Sequence, residues 1–131
     1  MHIPMLIYVL LVAHFVGDFI CQSDWQAINK SKSWRALTGH VMAYTLVLEL
    51  ALMFEWAIDL NRPLPVLQAS GLVFILVNAA AHFVQDAITS RINSKLWQAN
   101  ERHWFFVGIG GDQLLHYVTL FATAEWLLVG Q

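Results

Sequence analysis

The chain has 131 residues, of which 58% are apolar and only 12% are charged, and its mean hydropathy is +0.56. This composition leaves too few polar side chains to cover a water-soluble globule of this size, so it predicts an integral membrane protein. The net charge of −2, with no basic cluster inside a soluble recognition motif, argues against nucleic acid as a partner. The single cysteine, Cys21, excludes a disulfide within the chain.

Four apolar stretches of near-spanning length follow one another along the chain. We predict an all-α fold in which a single integral membrane domain, residues 1–131, forms a bundle of four transmembrane helices. The predicted helices cover residues 4–22, 36–58, 67–97 and 105–130. The first stretch does not resemble a signal peptide, because no basic residue precedes it and it carries both His14 and Asp18.

The connections between the predicted helices differ in charge, and this difference sets the orientation. The first and third connections are basic and flanked by tryptophan, whereas the second carries only Arg62. The basic residues of the first and third connections are Lys30, Lys32, Arg35, Arg91, Lys95 and Arg102. We therefore expect a multi-pass protein of the bacterial inner membrane, with cytoplasmic basic loops and both termini outside. These loops could also hold anionic lipid head groups, but setting the orientation is the simpler account.

A short motif occurs twice. Residues 13–18 read Ala-His-Phe-Val-Gly-Asp, and residues 81–86 read Ala-His-Phe-Val-Gln-Asp. Downstream, His40 corresponds to His116, and each is followed nine positions later by a glutamate, Glu49 or Glu125. The chain is therefore predicted to consist of two pseudo-repeated helical hairpins, related by an axis along the membrane normal. Asp112 breaks the repeat, because Ala36 stands at the corresponding position of the first half.

In each copy of the motif, an imidazole and a carboxylate lie four positions apart, on one face of a helix. The chain also contains a reversed pair, Asp112 and His116. With the predicted orientation, all three pairs and His40 lie at the cytoplasmic end of the bundle. Imidazoles and carboxylates bind divalent Zn, Mn or Fe, and a shared carboxylate is the usual way to hold two ions. We predict one or two divalent ions, with Asp112 as the best candidate for a catalytic base. The predicted metal ligands are His14, Asp18, His40, His82, Asp86, Asp112 and His116.

Two other readings of these polar residues stay open. A cation or proton transporter would use Glu49 and Glu125, about 13 Å deeper, as a second station facing the interior of the bundle. A structural or accessory subunit would use the His–Asp pairs as hydrogen bonds that lock helices together. Other polar residues are more typical of helix–helix hydrogen bonds or of the membrane interface than of ligands. These residues are Gln22, Tyr44, Asn78, His103 and Gln113.

Several segments together resemble a bacterial and phage family of small multispanning membrane proteins, domain of unknown function 3307. The segments are His14–Phe19 with Gln22, Leu37–Tyr44 with His40, His82–Asp86, His103–Phe106 and Asp112–His116. The resemblance covers nearly the whole chain. It implies an integral membrane protein with several His/Asp motif positions, and it supplies no activity. The pattern is also similar, more loosely, to the inner-membrane metal-dependent hydrolases.

These observations lead to a functional hypothesis. We expect a membrane-embedded, metal-dependent hydrolase that acts at the cytoplasmic face on a lipid-like or membrane-adjacent ester or phosphoester. Membrane lipids are the expected partners. A bundle of this size encloses little lipid-shielded volume, which is compatible with a homodimer.

Overall fold

The computed structural model describes residues 3–58 and 68–129, and this part of the chain is helical and contains no strand. It confirms the predicted all-α class. In chain order the helices are α1 (Ile3–Phe15), α2 (Asp24–Asn29), α3 (Trp34–Ile58), α4 (Ala69–Gln98) and α5 (Arg102–Ala124). Helix α1 continues into a π-helical turn, Val16–Ile20, and α5 continues into a second one, Glu125–Val129.

The helix bounds differ from the predicted bounds mainly where polar residues extend a helix. Helix α3 begins at Trp34 rather than at residue 36, because the Ser33 hydroxyl accepts a hydrogen bond from the Ala36 N–H and so caps the first turn. Helix α5 begins at Arg102 rather than at residue 105. Hydropathy marks where apolar residues begin, not where the backbone first becomes helical. The predicted ends at residues 67 and 130, and the connection that carries Arg62, lie outside the described residues.

The four long helices form a closed ring. Helix α1 packs against α3 and α5, α3 packs against α4, and α4 packs against α5. Apolar side chains fill one end of this ring, and the predicted metal ligands occupy the other end. The buried apolar core consists of Leu6, Leu10, Tyr44, Leu48, Leu52, Phe74, Ile75, Leu120, Ala124 and Leu127.

The contact between α1 and α3 is unusually close at Gly17. A Cβ atom at this position would lie 3.0 Å from Cδ2 of Tyr44 and 3.2 Å from its Cα. Only glycine permits the two backbones to approach in this way. The same residue belongs to the π-helical turn, which carries Asp18 towards α3. Such turns are frequent at functional sites because they re-aim side chains.

The segment between α1 and α3 folds back over the polar end of the bundle. It contains α2, which begins with a capping box: Ser23 Oγ accepts from the Gln26 N–H, and Gln26 Oε1 accepts from the Ser23 N–H. Helix α2 packs on α3. Lys30 follows directly after α2, so this packing determines where its side chain can reach.

Two helices of the described part of the chain, α3 and α4, are long and apolar enough to cross a membrane. Residues Met5–Ile20 form a shorter apolar helix. The predicted count of four spans is therefore met only in part by length and hydropathy. Helix α5 contains three glycines and the polar residues of the predicted site, and these residues lower its mean hydropathy.

Candidate metal centre

The structure brings all seven predicted ligands to one end of the bundle. The end of α1 and its π-helical turn supply two of them, α3 supplies one, and α4 and α5 supply two each. Six are at most 3% exposed, and Asp112 is partly buried. The six buried residues are His14, Asp18, His40, His82, Asp86 and His116. Ionisable groups buried together in this way are costly unless they pair with one another or bind an ion.

Four of these residues, Asp18, His40, His82 and Asp86, form a compact group that we call the four-donor group. His40 Nε2 lies 3.0 Å from Asp18 Oδ1, 3.2 Å from Asp86 Oδ2 and 3.1 Å from His82 Nε2. His82 Nε2 lies 3.6 Å from the same Asp18 oxygen and 3.7 Å from the same Asp86 oxygen.

These five distances are five of the six edges of a tetrahedron, and their mean is about 3.3 Å. A regular tetrahedron with edges of about 3.3 Å has its centre about 2.0 Å from each corner, which is the usual distance from zinc to nitrogen or oxygen ligands. These five distances therefore have the size expected of a tetrahedral metal site.

A second group consists of Asp86, Asp112 and His116 and shares Asp86 with the first. His116 Nδ1 donates to the backbone carbonyl of Asp112 at 2.8 Å, so its Nε2 carries the lone pair. That nitrogen is buried, has no hydrogen-bond partner among the described residues, and lies 3.8 Å from Asp86 Oδ1. One oxygen of Asp86 thus faces the four-donor group and the other faces His116, as expected of a carboxylate shared by two ions.

Lys30 is the residue that sequence analysis missed. Its ammonium donates to Asp86 Oδ2 at 2.9 Å, and the side chain is only 17% exposed. In the sequence, the positive charge of Lys30 is explained equally well as a signal for membrane orientation. The available signal was the Ser-Asp-Trp-Gln sequence of the capping box, which predicts a short helix that can turn the segment back onto the bundle.

The cluster has more negative than positive charge when its imidazoles are neutral. Asp18, Asp86 and Asp112 carry three negative charges, and Lys30 supplies one positive charge. The remaining charge of −2 would be balanced by one divalent cation. Charge, donor types and geometry therefore fit a divalent metal.

His14 lies beside the two groups and belongs to neither of them. Its Nε2 is 3.0 Å from Gln113 Oε1 and 3.8 Å from Asp18 Oδ2, and its Nδ1 is 3.5 Å from the Tyr44 hydroxyl. Gln113 also donates to Asp18 Oδ2 at 2.8 Å. His14 and Gln113 therefore support Asp18 through the oxygen that does not face the four-donor group. A direct role of His14 as a ligand stays a prediction.

The repeat is not exact at the site. Asp112 and Gln113 face the cluster in the second half, whereas Ala36 and Leu37 are fully buried at the corresponding positions of the first half. Thr89 donates to Asp112 Oδ1 at 2.6 Å and fixes the orientation of this additional carboxylate.

The other polar residues singled out in the sequence lie in different surroundings. Asn78 donates to Thr123 at 2.8 Å and joins α4 to α5, as predicted. His103 is exposed and contacts Trp104. Glu49 is half-buried and Glu125 is exposed, so these two glutamates do not form an inward-facing pair.

A cavity of about 300 Å³ adjoins the cluster. Asp18, Asp86, Asp112 and Lys30 line it, together with Gln22 and polar residues of α4. A small molecule in this cavity would therefore contact the predicted metal centre. Four protein donors complete the coordination of an ion in the four-donor group, whereas an ion held by the second group would have a position open to the cavity.

Comparison with known proteins gives a family and no relative of known activity. No curated protein and no solved structure matches the chain. The looser similarity to inner-membrane metal-dependent hydrolases therefore has no support from these comparisons. The family model described as "Protein of unknown function (DUF3307)" matches residues 6–130. Because this match covers nearly the whole chain, the protein belongs to the DUF3307 family.

Proposed function

We propose that this protein is a membrane-embedded, metal-dependent hydrolase that cleaves an ester or phosphoester at the membrane surface. The observation that carries the proposal is the tetrahedral arrangement of the four-donor group beside a cavity large enough for a small substrate. Two imidazole nitrogens and two carboxylate oxygens suit Zn, Mn or Fe. Asp86 and His116 of the second group leave room for non-protein ligands on a second ion, with Asp112 beside it as the base.

The proposed membrane placement is supported by the surface of the bundle. Large apolar side chains are exposed on all four long helices, and a soluble monomer does not expose apolar surface on this scale. Examples are Ile7, Leu11, Met42, Leu46, Leu50, Leu72, Leu76, Val84, Leu114 and Val118. We propose that all four long helices span the bacterial inner membrane, with the cluster and α2 at the cytoplasmic side.

In the proposed reaction, a water oxygen forms a bond to the phosphorus or carbonyl carbon of the ester, and the bond from that atom to the leaving oxygen breaks. Asp112 accepts one proton of the water and then releases it to solvent, and the leaving oxygen takes up a proton from solvent, so the products are an acid and an alcohol. A bound divalent ion would acidify the water and polarise the ester. Asp112 suits the role of base because it lines the cavity and is held by Thr89.

The test combines elemental analysis with activity of the purified protein. We expect Zn, Mn or Fe in the parent protein and hydrolysis of an aryl phosphate or aryl ester that disappears on chelation and returns with metal. His82→Gln should lose the metal, whereas His14→Gln should retain it, because only His82 belongs to the four-donor group. His103→Gln is the matched control, since His103 is exposed outside the cluster. A parent protein without metal, even after incubation with these ions, would overturn the proposal.

A structural role without metal is the second candidate, and the short contacts within the cluster favour it. His40 lies 3.0 Å from Asp18 and Gln113 donates to Asp18 at 2.8 Å, so these groups can lock helices together directly. The two candidates differ in the metal analysis. A purely structural cluster binds no ion, and chelators leave the stability of the folded protein unchanged. A transporter receives less support, because Glu125 is exposed.

A further inference from the structure

The cavity beside the metal centre has a lining that is polar, charged and apolar in different places. Its charged part is formed by the carboxylates of Asp18, Asp86 and Asp112 and by the ammonium of Lys30. Hydroxyl and amide side chains of α4, Thr89, Ser90, Asn93 and Ser94, form a polar part. Its volume of about 300 Å³ suits a head group or a small metabolite, and it is too small for a whole lipid with its acyl chains.

The charge of the cavity depends on the metal. Without metal, Asp18, Asp86 and Asp112 outnumber Lys30, and an anion would be repelled. Two divalent ions would change the local charge from −2 to +2, which is the complement of a phosphate monoester dianion. Lys30 already has its ammonium at the boundary between Asp86 and the cavity. Lysine binds phosphate oxygens as a point charge, so this position suits contact with a phosphoryl group.

The apolar part of the lining limits what the phosphate is attached to. Phe19, Ile28, Trp97, Phe105 and Ile109 contribute to the wall. These side chains suit the carbon atoms of a short organic group next to the phosphate. Arg102 lies over the ring of Trp97, with its guanidinium carbon 3.6 Å from the ring centroid, and holds this side chain at the rim of the bundle.

We propose that this cavity binds a phosphate monoester, with the phosphoryl group in contact with Lys30 and the metal centre. The proposal rests on the proposed function, because the metal supplies most of the positive charge. It narrows the substrate from an ester or phosphoester to a phosphate monoester. The same chemistry occurs in a phosphorylated lipid head group and in a soluble phosphorylated metabolite, and the experiment distinguishes these two sources.

Binding is measured by calorimetry on the purified full-length protein, with and without stoichiometric metal. The soluble probes are inorganic phosphate and glycerol 3-phosphate, and glycerol serves as the uncharged control. Nanodiscs of neutral lipid with and without phosphatidic acid form the lipid arm. We expect phosphate-bearing probes to bind only to the metal-loaded protein. Binding of phosphatidic acid alone would identify the lipid source, and binding of glycerol 3-phosphate would identify the soluble source; both results support the proposal.

One substitution tests the contact with Lys30. Lys30→Gln should weaken binding of the phosphate probe by about 10-fold or more, because a charge-assisted hydrogen bond is lost. Lys32→Gln is the matched control, since Lys32 is exposed and does not line the cavity.

The outcomes separate the two proposals. If the protein binds metal but none of the phosphate-bearing probes, the phosphate proposal is wrong and the metal centre stands. If the probes bind equally well without metal, or to Lys30→Gln as well as to the parent, the assignment of the cavity is also wrong. If the protein binds no metal, both proposals fail.

Discussion

Replacing Asp86 with asparagine removes one charge from the residue on which both groups of the cluster depend. Its Oδ2 lies 2.9 Å from Lys30 Nζ and 3.2 Å from His40 Nε2, while its Oδ1 faces His116 at 3.8 Å. Asparagine has nearly the same shape but lacks the second anionic oxygen. Asp86→Asn should therefore weaken metal binding at both groups, whereas a change at Asp18 should affect mainly the four-donor group.

The loss of metal affinity in Asp86→Asn can be bounded from these contacts. Loss of a partner that only orients a ligand weakens metal binding about 10- to 100-fold, so loss of a shared ligand should cost at least about 100-fold. At a metal concentration about 100 times the parent Kd, bound metal stabilises the folded protein by about 2.7 kcal/mol. A Kd that is 100-fold weaker leaves about 0.4 kcal/mol of this stabilisation at the same concentration.

The assay is unfolding in detergent, with and without metal, combined with direct measurement of metal content. The parent should gain stability on adding metal, and Asp86→Asn should gain almost none. Asp24→Asn is the matched control, because Asp24 is exposed at the start of α2. If the single variant does not fold because Lys30 loses its partner, Asp86→Asn combined with Lys30→Gln removes both charges. A parent-like stabilisation by metal in these variants would refute the shared-ligand reasoning.

Three further changes address separate parts of the structure. Gly17→Ala should destabilise the protein by about 1–3 kcal/mol in chemical unfolding, because the added methyl group meets the backbone of Tyr44. Asp112→Asn should lower the rate of hydrolysis by about 10²- to 10⁴-fold, with metal still bound at the four-donor group by elemental analysis. Gln113→Leu should weaken metal binding about 10- to 100-fold in a competition titration, because His14 and Asp18 both lose a hydrogen bond.

Each of these changes has a matched control. Gly110→Ala adds a methyl group where no other atom lies within 4 Å, so it should not destabilise the protein. Asp24→Asn should leave hydrolysis unchanged, and Gln98→Leu, at an exposed position, should leave metal affinity unchanged. Equal stability of Gly17→Ala and Gly110→Ala would contradict the close approach of α1 and α3. Loss of all metal from Asp112→Asn, or parent-like affinity of Gln113→Leu, would contradict the assigned roles.

Periodicity and hydropathy were sufficient to predict an all-helical chain and the end of the bundle at which the polar residues meet. The spacing of four positions within each His–Asp pair places both side chains on one helix face, and this geometry is independent of tertiary packing. The division of the cluster into two groups could not be predicted. It depends on Gln113, which binds His14 Nε2, and on the direction of each carboxylate oxygen.

The π-helical turn at Val16–Ile20 and the position of Lys30 also escaped prediction, for related physical reasons. A π-helical turn is set by packing against a neighbouring helix, here the contact of Gly17 with Tyr44, and it leaves no mark in hydropathy. Lys30 belongs to a loop whose composition is explained equally well by membrane orientation. Only the folded path of α2 brings its ammonium to Asp86.

The four-donor group takes Asp18 and His40 from the first hairpin and His82 and Asp86 from the second. An ion at this position would link the two halves of the chain, because neither half alone has a complete set of donors. Loss of the ion would therefore loosen the two halves from each other as well as empty the site.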